Sequence, residues 1–459
     1  MDMLQNRMIG RAARASASLI AAALVTILAL CNAAAPVSAQ GLPLIRDTEI
    51  ERLLNDYARP IFKAAGLGEG RVAVRIVRSS MFNAFVLDGR NVFVHTGALM
   101  QSETPNQIIG VIAHEAGHIA GGHLAALRAR IARDQTRALL VRMLGLGVAI
   151  ATGAGEAVFA GDELIMRSLL AERRSQEAAA DQAGLRYLDA TGQSGRGMLE
   201  TFERFAQQEY ISDTHKDPFV RSHPVATDRL AQLRELVQRS RHYDAKDSPE
   251  LQLRHDMMRA KLAGYLEPPQ VVLNRYPRTD SSLPARYARA IATFMQGGQR
   301  ALPAALSEVD GLIREMPSNP YFHELKADFL TRSGKNGEAI APLRQALRLS
   351  NGASLIRVQL AAALLATNDK NVVGEAADLL RKSLVEDENP RAYRSLADAN
   401  YRLGRQAEAD AAIAQAYFLE GSVQQAQNFA KRAQQALRQG SPTWLKMDDI
   451  ISYKPSGDL

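Results

Sequence analysis

Two histidines four residues apart, with a glutamate directly after the first, could do chemistry in this chain: His114-Glu115-Ala116-Gly117-His118. The run before them, Asn106 to Ala113, is largely apolar and poor in turn formers, so the pattern predicts a helix. On a helix, residues four apart share a face, one turn apart. Two imidazoles on that face can hold a metal ion together. Glu115 would then point at the open position of the metal, where it can take a proton from water.

An H-E-x-x-H run is a signature of zinc peptidases, but five residues recur by chance, so a third ligand must be found. A catalytic zinc takes three protein ligands and leaves a fourth position for water. Arg173 to Asp181 reads Arg-Arg-Ser-Gln-Glu-Ala-Ala-Ala-Asp in an Ala-rich, helix-favouring context. Glu177 is the third ligand expected there. Asp181, one turn further on, is placed to accept the free N–H of a ligating histidine and so fix its tautomer. The rival third ligand is His123. Gly121 fits the longer H-E-x-x-H-x-x-G-x-x-H signature, yet position 124 is Leu and His123 falls one residue short. His223, within Arg221-Ser222-His223-Pro224, precedes a proline, which places it in a loop or just ahead of a helix.

His114–His118, the Glu177–Asp181 cluster and Ser222-His223-Pro224 occur in an order that resembles the HExxH metallopeptidase family. That family includes the membrane-embedded CAAX prenyl proteases and their soluble periplasmic relatives. Asn83-Ala84-Phe85 and Val92 to Gly97 are similar to its strand pair ahead of the zinc helix, and the resemblance spans nearly all of the mature chain. It implies one zinc per chain on His114, His118 and Glu177, with Glu115 as base. It implies that His223 stabilises the transition state or caps the zinc in a resting form. It also implies outer-membrane β-barrel proteins as clients and their assembly machinery as partner.

The elements that must position these groups follow from the rest of the chain. At 459 residues it is too long for one compact domain. Its 46% hydrophobic and 23% charged residues are ordinary for a globular protein. The net charge is +7, but no Lys/Arg block alternates with aromatics, so nucleic-acid binding is not expected. The mild basic balance suits an anionic membrane surface or simply a well-solvated exterior. Arg7, Arg11 and Arg14, the apolar run Leu19 to Leu30 and Val37-Ser38-Ala39 read as a signal peptide cleaved after about Ala39. The expected location is the periplasm. Cys31 follows Leu30, where a lipoprotein site would want a small residue, and cleavage after Ala39 leaves no cysteine.

Ile50, Leu53, Leu54, Tyr57 and Ile61 predict a helix over Asp47 to Ala65, and Val72 to Val77 predicts a strand. Ala84 to Leu87 and Val92 to His95 predict a hairpin around Asp88-Gly89-Arg90-Asn91. Asn83, Ala84 and Phe85 form the expected edge at which an extended substrate adds as a strand; a hairpin without a substrate role is the alternative. Met143 to Gly161 holds one charge, Glu156, and five glycines. It reads as a mobile helical lid or plug over the site, touching membrane or client; a buried helix and a membrane span are the alternatives. After the polar linker Tyr243 to Glu250, residues 250–280 read as one helix and a Pro-containing connection.

Beyond residue 282 the pattern repeats. Asn319-Pro320 and Asn389-Pro390 are 70 residues apart, as are Gly334 and Gly404, and Ala339 and Ala409. That is about two periods of a 34-residue helix-turn-helix repeat. Pairs are expected from about 284, 320, 354, 390 and 422, the one near 354 degenerate. Stacked pairs make a concave surface suited to a protein partner; a helical spacer is the plain alternative.

The expected fold is an α+β zincin-like metallopeptidase domain followed by an all-α TPR-like solenoid. Its parts are a signal peptide at 1–39, a peptidase domain at 40–245, a connection at 246–281, repeats at 282–445 and a tail at 446–459. The expected activity is a zinc endopeptidase for quality control and assembly of outer-membrane proteins, cleaving misfolded or stalled clients. The alternatives are a chaperone or scaffold working mainly through its repeats, with latent proteolysis, and a metal-dependent hydrolase of non-peptide substrates.

Overall fold

Asp47 caps the first helix, α1 (Thr48–Ala64), by accepting the backbone N–H of Ile50 at 2.9 Å. The stripe Ile50, Leu53, Leu54, Tyr57, Ala58 and Ile61 turns inward and is fully buried, as the 3.6-residue period requires. The structure, a computed structural model, describes residues 42–130 apart from 69 and 88, then 160–206, 219, 223 and 227–454. The expected signal peptide and residues 143–159 of the expected lid lie outside the described residues. Leu44–Leu459 form one compact unit. Among the described residues no helix is long and apolar enough to cross a membrane.

Four strands follow the order β1 (Leu44–Ile45), β2 (Ala73–Val77), β4 (Asn91–His95), β3 (Ala84–Val86) across one sheet. β2 and β4 run parallel, while β3 pairs antiparallel with β4 in the register Ala84↔Val94, Phe85↔Phe93. β3 is thus an edge strand. The sheet feeds α2 (Thr96–Gln101) and then α3 (Pro105–Ala120), which carries the H-E-x-x-H run.

α3 is buried along most of its length, packed by α1, α4 (Ala160–Ala190) and α5 (Arg196–Ala206). The α3–α4 contact is closer than side chains allow. A Cβ on Gly117 would lie 2.7 Å from the carbonyl oxygen of Ala180, and one on Gly184 would lie 3.1 Å from the backbone of Ala113 and His114. Backbone contact therefore sets the spacing between the two helices that bear the candidate ligands.

α6 (Thr227–Arg239) closes this half, and α7 (Pro249–Leu266) leads out of it. Where one helix and a loop were expected, the connection itself forms α8 (Pro269–Arg275), because Pro268-Pro269 ends α7 and supplies a proline at the first helical position. His255 on α7 ties the half together. Its Nε2 lies 2.9 Å from the Ser102 carbonyl and its Nδ1 lies 3.0 Å from the Tyr57 hydroxyl.

The rest is helix pairs: α9 (Leu283–Gly297) with α10 (Leu302–Glu315), α11 (Pro320–Arg332) with α12 (Asn336–Leu349), and α13 (Ser354–Ala366) with α14 (Val373–Glu386). Then come α15 (Pro390–Arg402) with α16 (Gln406–Leu419), and α17 (Val423–Ala436) with α18 (Pro442–Ser452). The Asn-Pro pairs work as the repeat pattern implies: Asn319 and Asn389 cap the following helices and the prolines take the first helical position. Gly334 and Gly404 turn with φ of 77° and 73°. In the degenerate pair Asn368 supplies the positive φ, 58°, and a short 3-10 turn, Lys370–Val372, follows it.

The two halves meet in buried charge. Lys261 on α7 lies 2.7 Å from Asp47 and 3.2 Å from Glu49, Tyr287 donates to Glu49 at 2.8 Å, and Thr48 donates to Glu324 of α11 at 3.3 Å.

Candidate metal centre

His114 and His118 face the same way from α3, as their four-residue spacing dictates. Their Nε2 atoms are 3.0 Å apart. Across the tight α3–α4 contact, Glu177 brings Oε2 to 3.4 Å from His114 Nε2 and Oε1 to 3.4 Å from His118 Nε2. His223, from the segment before α6, adds Nδ1 at 3.1 Å from both His114 Nε2 and Glu177 Oε2. One ligand atom from each of these four residues lies within 4.8 Å of all the others. His114, Glu177 and His223 are buried, and His118 is partly open to a cavity of about 470 Å³ lined also by Phe85, Arg173 and Gln176.

The outer nitrogens are held. Asp181 Oδ1 lies 2.9 Å from His114 Nδ1. His223 Nε2 donates to the Ala84 carbonyl on β3 at 3.2 Å. Its ring rests on Phe219, and the His114 ring meets Phe202 edge-on. His123 approaches His118 from the far side, its Nδ1 3.0 Å from His118 Nδ1. It is not one of the four clustered groups, so the longer signature that would have made it a ligand has no counterpart in this geometry.

Arg229 was not expected at the site. It grips Asp181 through Nε and Nη2, reaches Glu177 Oε2 at 3.2 Å, and stacks over Phe202. A signal was present: Arg229, Leu233 and Val237 share one buried stripe of α6, and a charge on such a stripe needs a partner.

Burial works against the charged form of each of these groups. It is overcome at Glu177, whose carboxyl is held well below its usual range by His223, His114 and His118. It is overcome at Asp181 by Arg229 and His114. Burial also pulls His114 down, but Asp181 and Glu177 outweigh it and raise the imidazole to about 9. At His118 burial prevails and the pKa falls. The carboxylates thus draw positive charge into the cluster.

With His114 and His223 protonated on their outer nitrogens, ring lone pairs and carboxylate oxygens converge on one another. Such groups repel unless a cation lies among them. The donor set, imidazole nitrogen with one carboxylate, fits a divalent metal ion. Beside it Glu115 Oε1 is buried with no hydrogen bond, 3.3 Å from His223 Nε2. An unsatisfied buried carboxylate oxygen next to a ligand cluster is what a proton acceptor there requires.

Residues 44–237 match the model of peptidase family M48. They include every residue of the cluster. Residues 44–237 are a peptidase family M48 domain. With the His114/His118/Glu177/His223 cluster inside that domain, the chain is a metallopeptidase. The M48 domain does not account for the helix pairs, but relatives extend through them. The chain is 25% identical over 422 residues to the putative beta-barrel assembly-enhancing protease of Vibrio cholerae, covering 89% of this chain and 84% of that protein. It is 25% identical over 426 residues to the beta-barrel assembly-enhancing protease of Escherichia coli K12, with the same shares covered. The metalloprotease LoiP of Escherichia coli K12 is 26% identical over 164 residues, which is 36% of this chain and 62% of LoiP.

Proposed function

We propose that this chain is a periplasmic zinc endopeptidase that acts on outer-membrane proteins during assembly and quality control, removing clients that are misfolded or stalled. The observation that carries the chemistry is the convergence of His114, His118, Glu177 and His223 within 4.8 Å, with the Glu115 carboxylate beside them. The similarity to named assembly-enhancing proteases along 89% of the chain supports the biological setting.

In this reading His114, His118 and Glu177 hold the zinc, which when bound acidifies water and polarises a carbonyl. Glu115 takes the proton of the attacking water and hands it to the leaving amine. Its unsatisfied Oε1 is available for that proton. Asp181, gripped by Arg229, keeps the His114 proton on Nδ1. β3, with Asn83, Ala84 and Phe85, lines the cleft as the strand to which an extended client adds. His223 has two roles to choose between: fourth ligand of a resting cluster, or partner of the developing oxyanion. Its Nδ1 contacts with His114 and Glu177 favour the resting role.

The helix pairs are read as a TPR-like solenoid that recruits the client or its assembly machinery; the peripheral membrane contact expected of residues 143–161 falls almost wholly outside the described residues. Residues 40–245, 246–281 and 282–445 are the corresponding peptidase, connecting and recruiting parts. The deciding experiment compares the mature wild-type protein with Glu115→Gln, measuring zinc content, cleavage of an unfolded outer-membrane protein and barrel assembly. The proposal requires about one zinc per chain and loss of cleavage in the variant. A scaffold would keep full assembly activity in Glu115→Gln.

A further inference from the structure

His123 has no place in the four-residue cluster, yet its contact with His118 is as short as those inside it. In an unbroken helix it could not be there: five residues advance about 500° around the axis, roughly 140° off the face of His118. The chain breaks to bring it back. α3 ends at Gly121, Gly122 turns with φ of +63°, and residues 123–130 start a new helical stretch. The break sets His123 Nδ1 3.0 Å from His118 Nδ1. Gly121 is part of the same device, because a Cβ there would collide with the His123 ring at Nε2.

Tautomer logic gives this contact a direction. His118 Nε2 faces His114 Nε2 at 3.0 Å and Glu177 Oε1 at 3.4 Å. To serve the cluster it must present a lone pair, which puts the His118 proton on Nδ1. That proton points at His123. His114 has Asp181 for the same duty; on the His118 side the group in the equivalent place is an imidazole.

We propose that His123 is a positioning residue of the metal centre: it accepts the Nδ1 proton of His118 and so keeps the His118 Nε2 lone pair turned into the cluster, with Gly121 and Gly122 shaping the turn that lets it do so. The inference rests on the metal-site reading proposed above.

The test measures metal affinity of the purified mature chain by competition with a chromophoric chelator, together with the visible absorption of the cobalt-substituted protein. His123→Ala should weaken binding by about 10- to 100-fold, the usual scale for losing a partner behind a metal ligand. His123→Asn, which keeps an acceptor near the position of Nδ1, should recover most of that loss with a cobalt spectrum like wild type. Gly121→Ala should weaken binding in the wild-type background and add nothing when His123 is already alanine. Unchanged affinity in His123→Ala overturns the inference, as does an asparagine variant no better than alanine. An altered spectrum of His123→Asn at saturating cobalt would make His123 a direct ligand instead. If the wild type binds no metal, the metal-site reading itself fails; normal wild-type binding with an indifferent His123 sinks only the positioning role.

Discussion

Asp181 Oδ1 lies 2.9 Å from His114 Nδ1, the geometry of a carboxylate that accepts the proton of that nitrogen. Arg229 holds the same carboxylate from behind and also reaches Glu177. Removing the guanidinium would leave two buried carboxylates partly uncompensated. Arg229→Met is expected to destabilise the fold by about 3 kcal/mol, the scale for breaking a buried pair, and to weaken metal retention. Denaturant unfolding and metal analysis on the same samples check both; an unchanged midpoint would show that Arg229 is dispensable.

Glu115→Gln keeps the size of the side chain but cannot accept a proton. Metal content should stay at the wild-type level while cleavage of an unfolded protein falls at least ~100-fold. Near-normal turnover would rule out Glu115 as the base.

Glu177→Ala removes the only carboxylate among the four clustered groups. It should strip most of the metal and leave helical content by circular dichroism largely intact, since Glu177 belongs to a helix that packs through neighbouring positions such as Ala180 and Gly184. Full retention of metal in this variant would mean that the third ligand lies elsewhere.

His223→Ala should raise basal cleavage of a short peptide several-fold, because its Nδ1 occupies the cluster beside His114 and Glu177. A fall in kcat would assign it to stabilising the transition state instead. Indifference to the substitution would leave it a structural contact to β3.

His255 provides a pH dependence remote from the metal centre. Its Nε2–H donates to Ser102 and its Nδ1 accepts from Tyr57, so the neutral ring is fully satisfied. Burial pushes its pKa down to about 4. The unfolded chain, titrating near ~6.5, binds a proton that the folded state refuses between those values. The contribution is therefore whole above about pH 6.5 and fades as the pH falls towards 4, by up to ~3 kcal/mol. Urea midpoints from pH 7 to 5 should drop more steeply for wild type than for His255→Gln; parallel curves would contradict the assignment.

Local spacing made much of this legible. His114 and His118 declare themselves because four residues on a helix share a face, and the Asn-Pro pairs because capping chemistry is written in two adjacent residues. Asp181 could be placed for the same reason, one turn beyond Glu177. Arg229 could not, since its partner Asp181 is 48 residues away on another helix; only its position on an apolar stripe hinted at it. His123 was legible only as the rival ligand of a longer signature that it misses by one residue; the turn at Gly122 that sets it against His118 is not written in that spacing. The two short stretches of α3–α4 backbone contact, at Gly117 and Gly184, left no trace beyond the glycines themselves.

The hydrogen bond from His223 to Ala84 has a consequence at the edge of the sheet. The Asn83 carbonyl accepts the His95 N–H, so by antiparallel alternation the Ala84 carbonyl points away from β4, towards the open edge. A chain adding to β3 needs that oxygen for its own N–H, and His223 Nε2 already uses it. At this one atom a bound chain and the histidine are competitors. In the proposed strand addition, filling the cleft and releasing His223 from its anchor would be the same event, and an extended client would carry its own key to the site.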